Sequence, residues 1–236
     1  MSTGRKSEFA NLVNALASES PSHLKRMGRR ERRAAETRLR LFRCALRLVA
    51  ERGFPNVTVE DITEAADVGK GTFFNYFPSK EHLLIAFGQY QVRKVDAALA
   101  EAREAKIPIH QVLRRLAHSV SHDPGRTPLL IRSMMVAPLT NDTVRELMIV
   151  NMARGRKALA ELMTIGQQRG EIRNDLSPRH LARAVQQGMF GGFLLWSLDP
   201  ALEISNWLDT WVEIVFAGIK TIEAEKTPPS RQAVRR

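Results

Sequence analysis

Apolar residues recur at helical spacing within one stretch of the first third of the chain, TVEDITEAADVGKGTFFNY over residues 58–76. The first of these apolar positions are spaced so that they form a single stripe along a short helix. They are Val59, Ile62, Ala65 and Ala66. Thr58 precedes the stripe and is predicted to be its N-cap, with Asp61 as the reciprocal half of a capping box.

A second short helix is predicted from Lys70 to Phe77, after a break at residues 67–69. Phe73 and Phe77 lie four residues apart and form its apolar side. The other side carries Lys70, Thr72, Asn75 and Tyr76. Two short helices joined by a tight turn are typical of a helix-turn-helix, and a face without acidic side chains suits the major groove of DNA. A pair of packed helices in an ordinary α-domain is the alternative interpretation.

Helical patterns fill most of the remaining chain, and proline residues separate the later segments. No strand-like alternation interrupts them, so the predicted fold class is all-α, with an amino-terminal three-helix unit followed by a larger helical domain. The helix before the helix-turn-helix is predicted over 36–52, with Gly53 as its stop, and a long helix over 80–105 follows the cap Ser79. The later helices are predicted over 108–121, 127–137, 141–169, 178–197 and 201–225.

The predicted core of the three-helix unit consists of the apolar residues that follow its first helix and line its other two. They are Phe54, Val57, Ile62, Phe73 and Phe77. Far upstream, Phe9, Leu12, Val13 and Leu16 predict a short amphipathic helix within residues 7–18, which we expect to dock on the body of the protein.

The last two predicted helices are apolar over more than one stripe, so they need cover on several sides. Their glycines each cost about 1 kcal/mol of helix propensity against alanine, which makes sense where two backbones approach closely. We therefore predict a four-helix bundle between two copies of the chain, with an intrachain core as the alternative. The candidate interface residues are Gly188, Gly191, Gly192, Phe193, Trp211, Val215 and Gly218.

The formal net charge of +11 is concentrated near the amino end. Residues 1–95 hold 17 Lys and Arg against 10 Asp and Glu, whereas residues 96–230 hold 16 against 15. A basic segment around a groove-sized helix is the electrostatic footprint of nucleic-acid binding. The run of arginines at 29, 30, 32 and 33 is interpreted as a DNA-contacting arm, or otherwise as a solvated helix face or a linker.

The sequence gives little support for a redox, membrane, metal-binding or enzymatic function. The single cysteine, Cys44, lies among apolar neighbours and is read as a core residue, and a reducing compartment fits. No signal-peptide pattern or membrane-length apolar run is present, so a cytoplasmic location without membrane contact is expected. His118 and His122 have a metal-compatible spacing but lack the HExxH pattern, and exposed histidines are the favoured interpretation. We expect no enzyme, no metal site and no cofactor.

Several motifs between Leu41 and Leu83 match a known family: RGF at 52–54, TVEDI at 58–62, KGTFFNYF at 70–77 and SKEHL at 79–83. The stretch resembles the tetracycline-repressor (TetR) family of bacterial transcriptional regulators. The resemblance implies a homodimer in which each subunit joins a DNA-binding unit to a larger helical domain that encloses a small-molecule site. Most members of that family are repressors that the ligand releases from DNA.

By this resemblance the chain divides into four parts. They are a basic, partly disordered extension over 1–34, a DNA-binding domain over 35–95 with its helix-turn-helix at about 58–77, a ligand-binding and dimerisation domain over 96–226, and a disordered tail over 227–236. The implied DNA-binding residues are Thr58, Gly69, Lys70, Gly71, Thr72, Phe74, Asn75, Tyr76 and Lys80.

Among the DNA-binding residues, Thr58 and Lys80 are expected to hold phosphates, whereas the recognition-helix residues face the groove. The sequence leaves the family pattern at three positions, where Asp67 stands for a common glycine, Gly69 for a capping serine and Phe74 for a tyrosine.

Two function classes remain, a ligand-gated repressor on a palindromic operator and an ungated DNA-organising protein of the same fold. The first predicts an apolar cavity in the middle helices, and the second predicts a filled core. The candidate cavity residues are Leu113, Leu116, Val120, Met134, Met135, Leu147, Met148, Met152 and Trp196. The expected partners are double-stranded DNA, a second copy of the chain and a small-molecule effector.

Overall fold

The computed structural model describes residues 28–104, 107–122, 127–199, 201 and 203–221. Within those ranges the fold consists of nine α-helices, and its only β-pairing is an isolated bridge between Ile172 and Lys220. The helices are α1 (Arg29–Arg52), α2 (Val59–Ala65), α3 (Lys70–Tyr76), α4 (Glu81–Glu104), α5 (Ile109–His122), α6 (Pro128–Thr140), α7 (Asp142–Gln168), α8 (Pro178–Leu198) and α9 (Ile204–Ile219). The all-α prediction is confirmed.

The helix-turn-helix is built by local signals that the sequence shows. The Thr58 hydroxyl accepts from the Asp61 amide at 3.1 Å, and the Asp61 carboxylate accepts from the Thr58 amide at 2.7 Å. Gly53 ends α1 with a φ of 79°, in the left-handed region that favours glycine. Asp67 lies in the turn, where the family commonly has glycine. Its φ is 49°, a conformation that aspartate tolerates better than most residues.

One hydrophobic core holds the three-helix unit together and reaches into the larger domain. Val57, Ile62, Phe73 and Phe77 are each at most 1% exposed, as predicted, whereas Phe54 is only half-buried. Leu130 of α6 is fully buried in this same core. A separate core joins α4, α5, α7 and α8, and because α4 contributes to both cores it links the unit that carries the helix-turn-helix to the rest of the fold.

The largest boundary error lies at the first helix, which was predicted from residue 36 and begins at Arg29. All four arginines of the basic run therefore lie in the opening of a helix, where the Glu31 carboxylate accepts from the Gly28 amide at 3.2 Å and Arg32 pairs with Glu36 at 3.9 Å. The predicted helix over 201–225 spans only 204–219, because Arg173 and Glu171 take up backbone bonds with the chain around Lys220. The predicted helix within 7–18 and the tail over 227–236 lie outside the described residues.

Candidate DNA interface and internal cavity

The recognition helix α3 presents one polar and one apolar side. Phe73 and Phe77 are buried, while Lys70, Gly71, Phe74 and Asn75 are exposed, and Thr72 and Tyr76 are half-buried. The Phe74 ring is 48% exposed and meets the Phe73 ring edge-on, with 5.4 Å between their centroids. Gly69 is exposed at the N-cap of α3 and supplies no side-chain cap.

An ion pair crosses the surface of the helix-turn-helix. The Lys70 ammonium group donates to the Glu60 carboxylate of α2, and this bond holds the pKa of Glu60 below its usual value. Both side chains are more than half exposed, so solvent screens the pair. A DNA phosphate that approached Lys70 would have to compete with Glu60, a partner that the sequence pattern did not indicate.

Lys80 does not have the environment that the resemblance implied. Its ammonium nitrogen donates to the carbonyl oxygens of Phe54 at 3.0 Å and Val57 at 2.8 Å, and it lies 4.5 Å from the centre of the Phe54 ring. Two of the three ammonium N–H groups of Lys80 are therefore used inside the protein, and the phosphate contact implied by the resemblance stays a prediction. Thr58 stays exposed, but its hydroxyl donates to Asp61 at 2.6 Å within the capping box.

The arginines at the start of α1 occupy an exposed surface, and none of the four is buried. Arg38, two turns further along, behaves differently and was not singled out from the sequence. It is only 3% exposed, and its Nε and Nη2 atoms have no hydrogen-bond partner among the described residues. Burial lowers the pKa of Arg38 to about 10, with a further contribution from the charge of Arg93.

An apolar cavity of about 140 Å³ lies in the larger domain between α4, α6, α7 and α8, with Val120 from α5. None of the described residues that line it has an ionisable side chain, and its polar groups are the amides of Gln91, Asn151 and Gln186. The cavity contains five methionines, whose flexible thioethers can adapt to different shapes. They are Met134, Met135, Met148, Met152 and Met189.

The structure places the predicted cavity residues in two groups. Val120, Met134, Met135, Met148 and Met152 line the cavity. Leu113 and Leu116 lie in the core between α4, α5, α7 and α8, Trp196 packs in the cluster with α9, and Leu147 is half-buried outside the lining. The prediction of these four as lining residues is wrong. The residues of α4 that line the cavity were not identified from the sequence. Four of them recur at helical spacing, and they are Leu84, Gly88, Gln91 and Val95.

Two tryptophans of α9 explain most of the glycines in α8. Trp211 lies so close to Gly188 that an added β-carbon would be 2.9 Å from its indole nitrogen, and the Trp207 ring occupies the space of a β-carbon at Gly192. The two indoles are stacked, with 5.9 Å between their centroids. Phe193 is 8% exposed within the chain.

Five interface candidates pack against other parts of the same chain, so close packing within the chain accounts for them, and their part in a dimer interface stays a prediction. They are Gly188, Gly192, Phe193, Trp211 and Val215. Gly191 and Gly218 remain, with nothing within 4 Å of an added β-carbon. They share α8 and α9 with large apolar side chains that are exposed by 39% to 67%, and we call these residues the α8–α9 face. It consists of Gly191, Leu194, Leu195, Leu198, Ile214 and Gly218.

His118, a candidate metal ligand by its spacing, contacts a neighbouring helix. His118 is not simply exposed, since its Nε2 atom lies 2.8 Å from an Asp209 oxygen on α9. No group of three metal-ligating side chains occurs in the part of the chain that the structure describes. In the same part, no helix combines the length and apolarity that a bilayer crossing requires.

Residues 41–87 match the family model described as "Bacterial regulatory proteins, tetR family". A relative is the HTH-type transcriptional repressor DhaR of Mycobacterium sp. (strain GP1), 29% identical over 174 residues, which cover 72% of this chain and 85% of that protein. The amino-terminal unit therefore matches the TetR family, and the chain is similar to one of that family's transcriptional repressors over most of its length. Its helix-turn-helix is a DNA-binding unit of the TetR type.

Solved structures of TetR-family regulators share the fold. The fatty acid degradation regulator FadR from Bacillus halodurans matches with a TM-score of 0.63 and 21% identity, over 77% of this chain and 95% of that chain. Thermus thermophilus FadR, a repressor whose crystal structure is a complex with lauroyl-CoA, matches with a TM-score of 0.58 and 27% identity, over 81% and 99%.

Proposed function

We propose that this TetR-family repressor acts as a homodimer on a palindromic operator and that a small apolar or amphipathic molecule releases it from DNA. The observation that carries the proposal is the apolar cavity of about 140 Å³ in the larger domain. A repressor without a gate would have no need of such a space, since protein interiors are close-packed and large voids cost stability. The T. thermophilus relative supports a cavity ligand, because it binds lauroyl-CoA.

Helix α6 provides a physical connection between the cavity and the DNA-binding unit. Its residues Ile131, Met134 and Met135 line the cavity, while Leu130 is buried in the core of the DNA-binding unit. The Ser133 hydroxyl accepts from the Phe54 amide at 3.2 Å, next to the segment that leads into α2. A ligand that displaces α6 therefore changes the packing of the DNA-binding unit, which is the differential interaction that gating requires.

Dimerisation rests on the exposed α8–α9 face. Monomeric soluble proteins rarely leave a large contiguous apolar patch exposed, and two such faces can pack as a four-helix bundle about a two-fold axis. Two recognition helices related in this way would read half-sites about 34–36 Å apart, one turn of DNA. The twofold symmetry of the protein would then match the palindrome.

The test is a pair of titrations on the full-length protein, using an operator duplex obtained by genome-wide footprinting. We expect a cavity ligand to weaken operator binding, and operator DNA to weaken binding of the same ligand by the same factor. Lauroyl-CoA, decanol and toluene are suitable first probes. A ligand that binds the cavity while operator affinity stays constant would instead support the ungated DNA-organising alternative.

A further inference from the structure

We infer that the cavity takes a compact, uncharged effector with one hydrogen-bonding oxygen, recognised by the side-chain amide of Asn151. The inference rests on the proposed function, because it assigns the chemical class of ligand at the same cavity. It follows from three features of the cavity, which are its volume, the absence of charge from its lining and the state of its amide groups.

The volume limits the size of the ligand. A cavity of about 140 Å³ is close to the roughly 150 Å³ of an engineered protein cavity that binds benzene. A six-membered ring with one substituent therefore fits the space as it stands, whereas a long acyl chain requires the methionines to move first. The cost of that rearrangement would be subtracted from the affinity of a long-chain ligand.

The lining limits the charge of the ligand. Transferring a carboxylate from water into an apolar site costs several kcal/mol unless a cation or several hydrogen bonds offset it. Every described lining residue is uncharged, and Arg156, which contacts the lining residue Gln186, already donates to the side-chain oxygen of Gln186 at 3.0 Å. A neutral ketone, alcohol or ester avoids this cost.

The amide groups indicate where the ligand oxygen binds. Gln186 is 5% exposed and fixed at both ends, because its nitrogen also donates to the Met152 carbonyl oxygen at 2.9 Å. Asn151 lines the same cavity one turn before Gly155 and makes no hydrogen bond within the described residues. Its amide nitrogen would lie 3.1 Å from a β-carbon at Gly88, so the glycine leaves the space that the Asn151 side chain occupies.

Of the other two amides, Gln91 interacts within the protein and keeps only its oxygen without a hydrogen-bond partner, whereas the half-buried Asn151 offers an N–H donor to the cavity. A ligand oxygen that accepts from Asn151 gains a hydrogen bond in largely apolar surroundings. This makes Asn151 a specificity-determining residue, in contact with the effector. Sequence reasoning missed it because a single asparagine among methionines on α7 has no distinctive pattern.

The experiment compares four probes by calorimetry on the protein without DNA: cyclohexanone, toluene, cyclohexanecarboxylate and dodecanol. We expect cyclohexanone to bind most tightly per non-hydrogen atom and cyclohexanecarboxylate to bind at least tenfold more weakly than cyclohexanone. Asn151→Leu should weaken cyclohexanone binding about five- to tenfold, the value of one hydrogen bond, while toluene binding is retained or improved.

Two further variants test whether the change in cyclohexanone binding comes from the Asn151 side chain. Gly88→Ala raises the helix propensity of α4 but crowds Asn151, so it should weaken cyclohexanone binding as well. Asn174→Leu, at an exposed loop position, is the matched control and should change neither probe. Tighter binding of cyclohexanecarboxylate or dodecanol, or equal loss of cyclohexanone and toluene in Asn151→Leu, would overturn the inferred ligand class. Binding in the expected order without any change in operator affinity would leave that class standing and refute the gate.

Discussion

The ammonium nitrogen of Lys80 lies 3.0 Å from the carbonyl oxygen of Phe54 and 4.5 Å from the centre of the Phe54 ring. The same nitrogen donates to Val57, so one lysine at the start of α4 fastens the segment between α1 and α2. The lysine thus joins two parts of the DNA-binding unit that the chain separates by more than twenty residues.

Replacing Lys80 by methionine should therefore lower the free energy of unfolding. Loss of hydrogen bonds from a charged donor costs about 1.5–3 kcal/mol, and the two carbonyl oxygens would lose their partner. Urea denaturation followed by circular dichroism measures the change, with Lys157→Met at an exposed position of α7 as the control. If stability were unchanged and the salt dependence of DNA binding became shallower, Lys80 would bind phosphate as the family resemblance implied.

Adjacent glycines of α8 allow folding to be separated from association. Gly192→Ala should destabilise each protomer by about 1–3 kcal/mol, because the added methyl group meets the Trp207 ring. Gly191→Ala meets nothing within the protomer and should preserve or raise helix stability by up to about 1 kcal/mol. Denaturation of the two variants at equal concentration is the measurement.

A bulkier change at the open glycine tests the proposed dimer. Gly191→Leu should weaken self-association and operator binding together, as followed by sedimentation equilibrium and a DNA titration. A variant that became monomeric yet bound the full palindrome with unchanged affinity would show that the α8–α9 face is not needed for DNA recognition.

The sequence was most informative where a local signal determines a structure. The Thr58–Asp61 capping box and the burial of Phe73 and Phe77 depend on residues a few positions apart, and both were predicted correctly. Long-range contacts were harder to predict, because Trp207 on Gly192 and Lys80 on Phe54 join residues that no periodicity relates.

The cavity residues also divide into those that local spacing predicted and those that depend on long-range packing. Methionines of α6 and α7 were predicted to line it from their apolar spacing, but a leucine on a buried face looks identical whether it borders a space or another side chain. Leu113 and Leu116 therefore could not be told from lining residues without the packing of α5 against its neighbours. Arg38 was missed for a related reason, since an arginine in a basic run gives no sign that it is buried.

Arg38 gives a prediction with a defined pH dependence. Burial lowers its pKa to about 10 in the folded chain, below the ordinary value of an arginine, so folding disfavours the charged form. The resulting loss of stability is fully present below about pH 10 and diminishes as the pH rises above that value towards the ordinary pKa of arginine. Arg38→Met should therefore raise the free energy of unfolding at neutral pH, by about 1–4 kcal/mol if the apolar side chain packs well.

The measurement is the difference in unfolding free energy between Arg38→Met and the unaltered protein, from neutral pH to about pH 10. Arg40→Met, at an exposed position of the same helix, should leave stability nearly unchanged. Destabilisation by Arg38→Met throughout that range would mean that the guanidinium group is satisfied in solution.

The exposed arginines that open α1 should contribute salt-dependent DNA affinity with little sequence preference. Each phosphate contact adds about 0.9 to the slope of log affinity against log salt concentration. Replacing Arg29, Arg30, Arg32 and Arg33 by glutamine should therefore flatten that slope on specific and scrambled duplexes alike. An unchanged slope would assign these side chains to a solvated helix surface.

Phe74, where the chain departs from the family pattern, gives a test of how α3 meets DNA. Its ring is 48% exposed beside the buried Phe73, so it can touch a sugar or a thymine methyl group but cannot donate to a phosphate. Phe74→Tyr adds a hydroxyl at this exposed edge. A hydrogen bond to a charged group contributes about 1.5–3 kcal/mol, less the cost of desolvation and ordering, and a dimer would make it twice.

Because phosphate contacts position a protein without reading sequence, Phe74→Tyr should tighten binding to specific and scrambled DNA about equally. Asn75→Ala should behave differently, since the exposed Asn75 side chain can pair with a base edge and its loss should relax preference at one position by about 1–3 kcal/mol. The measurement is a pair of titrations on specific and scrambled duplexes at one salt concentration. Weaker binding by Phe74→Tyr, in a protein that remains folded, would show that the phenyl ring packs against the DNA and that its hydroxylated form does not fit there.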